Sequence, residues 1–387
     1  EVCQFDPAFT CTRVWTASGG LSGGDMGDMG GGEMGGTYKI GLLSPQTGPI
    51  AVYAPGFEDA ANVAIAELND NEEGNVFELI VVDSGCDGTQ AATAAQTLID
   101  SGVVGIVGAA CSGATLGAIA VAAEAGIPMV SYASTSPAVT TASDNGYLFR
   151  VVPSDAQQAI ALTAVVADGG DSNPAVLYMT NDYGSGLADN FAANWSGDVC
   201  TTNAYDPTEG SYDASTIAQS VIDAGCDSAV LISYATDGAA IIEALKGQGF
   251  SGTIYGADGI ADAAFASAFT DAAAVAGVIA TKPRPGAESS AQSAFNSAYS
   301  AAGGDAEGIY THETYDAVKI IAHAALEGSD DIRDDLASVG SNYDGASGVH
   351  TFDSNGDVAG TGYEVCQFDP AFTCTRVWTA SGGLASK

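Results

Sequence analysis

The sequence predicts an α/β protein built from two doubly wound lobes of parallel β-sheet. From Thr37 onward, short apolar runs typical of buried strands alternate with Ala-rich runs that have helical periodicity. The alternation pauses at residues 147–152 and then begins a second series of the same kind. Strands that alternate with helices form parallel sheets with helices on both faces, so two series indicate two lobes.

The predicted elements follow one another with short connections. The first series has strands at 38–43, 76–82, 103–107 and 128–131, and the helices between them end near residues 68, 99 and 125. After the strand at 147–152, the second series has strands at 175–179, 200–205, 229–232, 253–255 and 278–280, with helices at 156–166, 184–194, 214–224 and 239–245. Helical patterns at 291–301, 310–325 and 332–339 follow. A strand–turn–strand pattern comes next, with Asn355-Gly356 as its tight-turn signal.

Charge is the unusual feature of the composition. There are 48 Asp and Glu residues and 10 Lys and Arg residues, which gives a formal net charge of −38. Such a chain repels nucleic acid and anionic membrane surfaces, so neither is an expected partner. The acids are scattered along the chain, which favours a solvated acidic surface suited to a salty habitat. No apolar run approaches the ~18 residues of a membrane span, and a soluble mature chain is expected.

The eight cysteines form four pairs of near neighbours, which are Cys3/Cys11, Cys86/Cys111, Cys200/Cys226 and Cys366/Cys374. An even number without any CxxC spacing favours disulfides over a zinc site, and no metal or other cofactor is expected. The cysteines therefore predict an oxidising compartment outside the cytoplasm. We expect the periplasm or the cell surface, with a lipid anchor before processing as an open alternative.

A perfect repeat of 21 residues occupies positions 1–21 and 364–384. Each copy has the pattern of a hairpin with an Asp-Pro turn and one Cys on each strand. The first copy leads into a Gly-, Met- and Asp-rich stretch that predicts a flexible linker up to residue 36. One hypothesis is self-association, in which the first copy replaces the hairpin of a neighbouring molecule. Identity without a single change instead favours an artefact of the gene sequence.

Small hydroxyl residues follow two neighbouring predicted strands, at 103–107 and 128–131. Ser112 comes after the first strand, and Thr135 comes after the second. The carboxyl ends of parallel strands meet at one sheet edge, where ligands bind in open α/β sheets. Hydroxyls and free amides beside a helix N-terminus suit a carboxylate, although both residues also fit the role of helix cap. The pattern indicates half of a pocket for a small anion or zwitterion.

Several segments resemble the type I periplasmic binding proteins of ABC transporters, in the branched-chain amino-acid branch. These are IGLLSPQTGPIAVYAPGFEDAANVAIAELN, YLFRVVPSDAQQ, NDYGSGLADNF and YGADGI, and the resemblance covers residues 38–378. It implies a hinge of three crossings, near Ser154, Lys282 and Thr351. Lobe 1 would then comprise 37–153 and 283–350, and lobe 2 would comprise 154–282 and 351–384. Residues 1–36 would lie outside both lobes.

The resemblance also implies a set of ligand contacts. Ser112 and Thr135 would receive the ligand carboxylate. The carbonyl of Ala133, the hydroxyl of Thr135 and the carboxylate of Asp258 would receive the ammonium group. Three aromatic side chains would flank the ligand, namely Tyr53, Tyr183 and Tyr234. Asp258 stands where many relatives carry Glu, which keeps ligands other than amino acids open.

The resemblance implies capture of a small, aliphatic or branched-chain amino acid and its delivery to the membrane permease of an ABC transporter. Amides, urea or aromatic carboxylates are alternative ligands, and a self-assembling surface protein is an alternative function. An enzyme is not expected, because no nucleophile elbow, phosphate-binding loop or HExxH motif is present. The three histidines, His312, His323 and His350, do not have metal-binding spacing.

Overall fold

The computed structural model describes residues 36–387 except Glu73, Asp330 and Pro370, together with the backbone of residues 2–4, 10–16 and 20–22. The chain divides into two units, Glu1–Gly36 and Thr37–Lys387. In the first unit, strands β1 (Val2–Gln4), β2 (Thr10–Thr16) and β3 (Gly20–Ser22) form an antiparallel sheet. The predicted linker lies outside the described residues, except for its two ends.

A five-stranded parallel sheet forms the first half of the second unit. Its strands are β4 (Thr37–Ser44), β5 (Val76–Asp83), β6 (Gly105–Val107), β7 (Met129–Ser131) and β8 (Leu148–Arg150), in the order β5-β4-β6-β7-β8. The connecting helices are α1 (Ala54–Asn71), α2 (Gly88–Asp100), α3 (Ser112–Ala125) and α4 (Pro137–Thr140). Every residue of β6, β7 and β8 is buried, as expected when helices cover both faces of a parallel sheet.

A second series of strands and helices builds a second parallel sheet. The strands are β9 (Pro174–Met179), β10 (Thr201–Tyr205), β11 (Ser228–Ile232), β12 (Thr253–Gly256) and β13 (Ile279–Pro283). The helices are α5 (Asp155–Asp168), α6 (Asp182–Asn194), α7 (Ala214–Ala224) and α8 (Ala235–Gly247). Short 3-10 segments at Asp258–Ile260, Ala263–Ala268 and Ala272–Val275 connect β12 to β13, and another lies at Ala51–Tyr53.

After β13 the chain returns to the first sheet. Helices α9 (Ser290–Ala301), α10 (Thr311–Glu327) and α11 (Ile332–Val339) follow, and α10 packs against α1, β4 and β6. Strands β14 (Ser341–Asp344) and β15 (Val349–Thr351) then form a small antiparallel sheet. The chain finally adds β16 (Tyr363–Asp369), β17 (Ala371–Thr379) and β18 (Gly383–Ser386) to the second sheet, in antiparallel fashion next to β13. The second copy of the repeat is thus part of an eight-stranded sheet.

The predicted strand–turn–strand around Asn355 is wrong in its second strand. Asn355 and Gly356 form a turn, in which the Asp353 carboxylate accepts from the backbone N–H of Asn355 (2.7 Å) and Asp357 (3.1 Å). Residues 358–362 are irregular, and the strand before the turn pairs with β14 instead. The reason is that Asp357 points inward, where it forms an ion pair with Arg150 (2.6 Å).

Three of the four expected disulfides lie among the described side chains. Cys86–Cys111 joins the loops after β5 and β6, Cys200–Cys226 joins the segments before β10 and β11, and Cys366–Cys374 joins β16 to β17. The backbone register places Cys3 opposite Cys11 in β1 and β2, but their side chains lie outside the described part of the chain. The expected pairing of Cys3 with Cys11 stays a prediction.

The predicted fold class is confirmed, because alternating strands and helices build two sheets whose strands are parallel apart from the antiparallel β16 to β18. The lobe boundaries at 153, 282 and 350 stay a prediction. Among the described residues, none of the helices combines the length and the apolar character that crossing a membrane requires.

Candidate functional site

The carboxyl ends of β6 and β7 bring the first group of predicted residues together. Helix α3 begins at Ser112, and its N-cap residue, Cys111, makes no capping hydrogen bond through its side chain. The Ser112 hydroxyl accepts from the backbone N–H of Ser136 (3.2 Å), so it links the helix to the loop after β7. Ser112 is therefore not a helix cap, and the first amides of α3 are suited to an anion.

Arg150 braces the loop that carries Ala133 and Thr135. Its side chain is fully buried and donates to the carbonyl oxygens of Ser134 (3.1 Å) and Ser136 (3.0 Å). The same guanidinium binds the Asp357 carboxylate at 2.6 and 2.8 Å and the Thr140 hydroxyl at 2.6 Å. The loop is thus linked through Arg150 to the segment between β15 and β16.

Asp258 lies on the opposite side of the cleft, in the 3-10 segment that follows β12. Its two carboxylate oxygens accept hydrogen bonds from Tyr183 (2.9 Å) and Tyr310 (2.7 Å). Burial raises the pKa of Asp258, and the hydroxyls of Tyr310 and Tyr183 oppose that shift. The ring of Tyr183 also stacks on Tyr234, with centroids 5.3 Å apart. Two hydroxyls, one from α6 and one from the residue before α10, therefore hold this carboxylate in one orientation.

Asp155, at the start of α5, was missed by sequence reasoning. Its side chain is fully buried, and neither carboxyl oxygen has a hydrogen-bond partner among the described residues. Burial, followed by the charge of Asp258, raises the pKa of Asp155, and the Thr135 hydroxyl and the charge of Arg150 oppose that shift. In the sequence, Ser154-Asp155 has the pattern of an ordinary helix start, where an acidic side chain interacts favourably with the helix dipole. Tyr310 was also missed, because it lies 52 residues from Asp258 along the chain.

A small cavity of about 30 Å³ lies between these groups. Its lining includes six of the seven residues predicted as ligand contacts, which are Tyr53, Ser112, Ala133, Tyr183, Tyr234 and Asp258. Its other lining residues are Ile50, Phe57, Ala110, Gly259, Ile309 and Tyr310. The seventh predicted residue, Thr135, is buried outside this lining, and its hydroxyl makes no hydrogen bond to a described residue.

Hydrogen bonds join elements of the first sheet's half of the chain to elements of the second sheet's half, near the cavity. Thr236 of α8 donates from its backbone N–H (3.2 Å) and its hydroxyl (3.1 Å) to the carbonyl oxygen of Pro49. The Ser136 hydroxyl donates to the carbonyl oxygen of Asp182 (2.8 Å), and the backbone N–H of Ile309 donates to Asp262 (2.7 Å). These contacts lie close to the residues that line the cavity.

A buried Ser–His–Asp cluster lies apart from this cavity. The Ser347 hydroxyl donates to Asp316 (2.6 Å), and Nε2 of His350 lies 2.9 Å from that hydroxyl and 3.0 Å from the same carboxylate. One imidazole nitrogen contacts both partners, whereas a hydrolase triad uses the two nitrogens separately. Asp316 also accepts from the backbone N–H of Ala346 (2.7 Å), so the cluster anchors a loop to α10.

Among the described side chains, one group is close enough to hold a metal ion. It consists of Glu364, Cys366 and Cys374. The two cysteines are joined in a disulfide, so they offer no thiolate ligand.

Two α/β lobes that close over a cavity of this kind define a cleft-type ligand-binding protein. A model of the periplasmic binding protein family matches residues 37–372. The chain belongs to this family.

Named relatives are similar over most of the chain. The leucine-, isoleucine-, valine-, threonine- and alanine-binding protein of Pseudomonas aeruginosa is 25% identical over 349 residues, which cover 88% of this chain and 92% of that protein. The Leu/Ile/Val-binding protein BraC3 of Rhizobium johnstonii is 27% identical over 339 residues, with 85% and 91% covered. Among solved structures, LivJ of Streptococcus pneumoniae in complex with isoleucine has a TM-score of 0.79 at 24% identity, with 89% of this chain and 99% of LivJ covered.

Proposed function

We propose that this chain is an extracytoplasmic solute-binding protein that captures a small aliphatic amino acid between its lobes. One observation carries the proposal. The closed cavity has amide and hydroxyl donors at one end, a fixed carboxylate at the other, and apolar walls between them. A zwitterion taken out of water needs this distribution of donors and acceptors. The binding specificities named for the relatives support the same class of ligand.

The two ends of the cavity correspond to the two ends of the ligand. The Ser112 hydroxyl and the first amides of α3 receive the carboxylate, and Thr135 supports this end. Asp258 and the carbonyl oxygen of Ala133 receive the ammonium group. The charge on each ligand group makes these hydrogen bonds stronger than bonds between neutral groups.

The walls set the preference for the ligand side chain. Apolar side chains of Ile50, Phe57, Ala110 and Ile309 line the cavity. An aliphatic side chain gains roughly 0.8 kcal/mol for each methylene that it buries against such a wall. A charged side chain would lose its hydration without a partner of opposite charge.

Binding and closure together make up the function, and we propose no catalytic step. The ligand binds one lobe first, and hinge motion then brings the other lobe over it. Lobe 1 (37–153 and 283–350) and lobe 2 (154–282 and 351–384) would be the moving parts. The ligand shifts the population toward the closed form, which the permease of an ABC transporter recognises.

Aromatic carboxylates, amides and urea are the competing ligands. The stacked rings of Tyr183 and Tyr234 suit an aromatic ring. The buried carboxylate of Asp258 acts against an acid that has no amine, because two negative charges would share a cavity lined by no Lys or Arg among the described residues. The geometry thus favours the amino acid.

Self-association has one supporting observation. The strand register of β1 to β3 repeats that of β16 to β18, with Cys3 opposite Cys11 as Cys366 is opposite Cys374. Light scattering on the full chain and on a chain lacking residues 1–36 tests the exchange of hairpins. Equal monomer masses for the two chains would exclude it.

A thermal-shift screen tests the proposed ligand class. The panel contains the amino acids, urea, short amides and aromatic carboxylates. A ligand at 100 times its dissociation constant stabilises the protein by about 2.7 kcal/mol, which shifts the unfolding temperature visibly. A response to aliphatic amino acids is expected. A response confined to amides or to acids without an amine would overturn the proposal.

A further inference from the structure

The end of α6 carries a sequence that has no role in the binding scheme given so far. Asn194-Trp195-Ser196 is the only Asn-X-Ser/Thr sequence in the chain, and this is the acceptor pattern for N-linked glycosylation. A pattern of three residues also arises by chance, so the structure around it decides whether the asparagine can serve as an acceptor. Such an acceptor must lie on an exposed surface of a secreted protein.

The two reactive side chains of the pattern are exposed, and the residue between them is held against the protein. Asn194 and Ser196 are exposed, whereas Trp195 is half-buried. The Trp195 ring stacks on Phe191, with centroids 5.7 Å apart, and its indole N–H donates to the carbonyl oxygen of Asp198 (3.1 Å). Trp195 has extended backbone angles (φ −75°, ψ 124°), which direct successive side chains to opposite sides. The amide of Asn194 and the hydroxyl of Ser196 therefore face solvent on the same side.

The amide of Asn194 can be modified without losing its contact in the fold. One of its two N–H groups donates to the carbonyl oxygen of Asn190, one turn earlier in α6 (2.8 Å). An N-glycosidic bond replaces one N–H and leaves the other in place. The hydrogen bond to Asn190 is therefore compatible with a glycan on Asn194.

The position and the chemistry of the chain agree with a glycan at this site. Helix α6 begins beside the cavity, which Tyr183 lines, and eleven further residues of helix place Asn194 about 16 Å farther along the axis. A glycan at Asn194 therefore does not obstruct the cavity. The three disulfides indicate an oxidising compartment outside the cytoplasm, where a secreted chain meets the glycosylation machinery.

We propose that Asn194 is the acceptor for one N-linked glycan, which a separate transferase adds from a lipid-linked oligosaccharide. Nδ2 of Asn194 forms a bond to the anomeric carbon of the first sugar. The bond between that carbon and the diphosphate of the lipid breaks, and the lipid diphosphate leaves with the electron pair. Nδ2 gives up one proton to solvent, and no group is oxidised or reduced.

Glycosylation of the folded chain tests the proposal directly. The full chain, with its disulfides intact, is incubated with a lipid-linked oligosaccharide and a transferase that modifies the peptide of residues 188–199. The intact mass should rise by one glycan, and mass spectrometry of the glycopeptide should place the glycan on Asn194. Asn194→Gln and Ser196→Ala should each abolish the modification, whereas Ser196→Thr should retain it.

Asn190→Gln is the matched control. The Asn190 amide also donates to a carbonyl oxygen four residues earlier in α6 (Gly186, 2.8 Å), but Phe191-Ala192 follows it, so it is not an acceptor. This variant should gain the same single glycan as the unaltered chain.

The outcomes do not depend on the ligand. An unchanged mass of the folded, unaltered chain overturns the inference, and this measurement needs no variant. A glycan that maps to another residue, or that persists in Ser196→Ala, also overturns it. If no amino acid binds the chain, the proposed function fails, and the test of Asn194 keeps its meaning.

Discussion

Ser112 is the residue whose replacement distinguishes a ligand contact from a helix cap. Ser112→Ala should weaken amino-acid binding by roughly tenfold or more, because a hydrogen bond to a charged group contributes about 1.5–3 kcal/mol. Ser289→Ala is the matched control, since the Ser289 hydroxyl caps α9 by accepting from Gln292 (3.0 Å). The control should lose about 1 kcal/mol of stability and keep its ligand affinity. Titration calorimetry and urea unfolding measure both quantities. Unchanged affinity in Ser112→Ala would contradict the assignment.

The buried carboxyl of Asp237 makes the stability of the folded protein depend on pH. It accepts from the Tyr205 hydroxyl (2.6 Å) and from the backbone N–H of Tyr234 (3.2 Å), and burial raises its pKa to about 7. A carboxyl with a raised pKa binds its proton more tightly in the folded state than in the unfolded state. Its stabilising contribution is therefore complete below the ordinary pKa and is lost as the pH rises through about 7.

Asp237→Asn should remove this dependence. Relative to the unaltered chain, the variant should gain stability as the pH rises from about 5 to about 8, around the pKa of about 7. Urea unfolding of both proteins at several pH values gives the difference in the free energy of unfolding, which cancels the contributions of all other groups. A difference that does not vary with pH would count against a protonated, buried Asp237.

Residues at the ends of strands could be predicted from the local sequence pattern. Residues across the cleft, such as Asp258, were expected only through the family resemblance, and two further residues were not predicted. Ser112 and Ala133 follow buried strands, and strand ends are visible as changes in local pattern. Tyr310 reaches Asp258 from a helix start 52 residues away, and Asp155 is hidden within a normal capping sequence. Both depend on how the lobes meet, which is a property of tertiary packing.

At the scale of elements, two disulfides provide an internally matched test. Cys86–Cys111 and Cys200–Cys226 span 25 and 26 residues, so chain entropy predicts similar stabilisation, about 3 kcal/mol each. Only the first adjoins Ser112. Replacing both cysteines of either pair by Ser should lower the free energy of unfolding by similar amounts. Ligand affinity should fall only in the Cys86/Cys111 variant. Equal effects on affinity would show that this bridge does not position α3.

The order of the elements could be predicted because strand and helix periodicities differ so clearly in this Ala-rich chain. The prediction of strands was less accurate where a tertiary contact outweighed a local turn signal. Asn355-Gly356 forms the expected turn, but the Arg150–Asp357 ion pair holds the following segment away from a strand partner. The strand predicted at 103–107 begins only at Gly105, because residues 101 and 102 form the turn after α2.

At the scale of the whole molecule, the net charge of −38 should make stability depend on salt. The screening length falls from about 30 Å at 0.01 M salt to about 3 Å at 1 M, which weakens repulsion among the scattered acids. The unfolding temperature should therefore rise steadily over this range. NaCl and KCl should act alike, because screening depends on ionic strength. An unfolding temperature that is flat or falls with salt would contradict this expectation.

The most direct test of the binding scheme compares L-leucine with isocaproate, the same molecule without its amine, by titration calorimetry. For the unaltered chain, leucine should bind at least about tenfold more tightly, since a charge-assisted hydrogen bond contributes about 1.5–3 kcal/mol. Asp258→Asn should lose most of that preference by weakening leucine alone. Equal affinities for the two compounds in the unaltered chain, or equal losses in the variant, would contradict an ammonium site at Asp258.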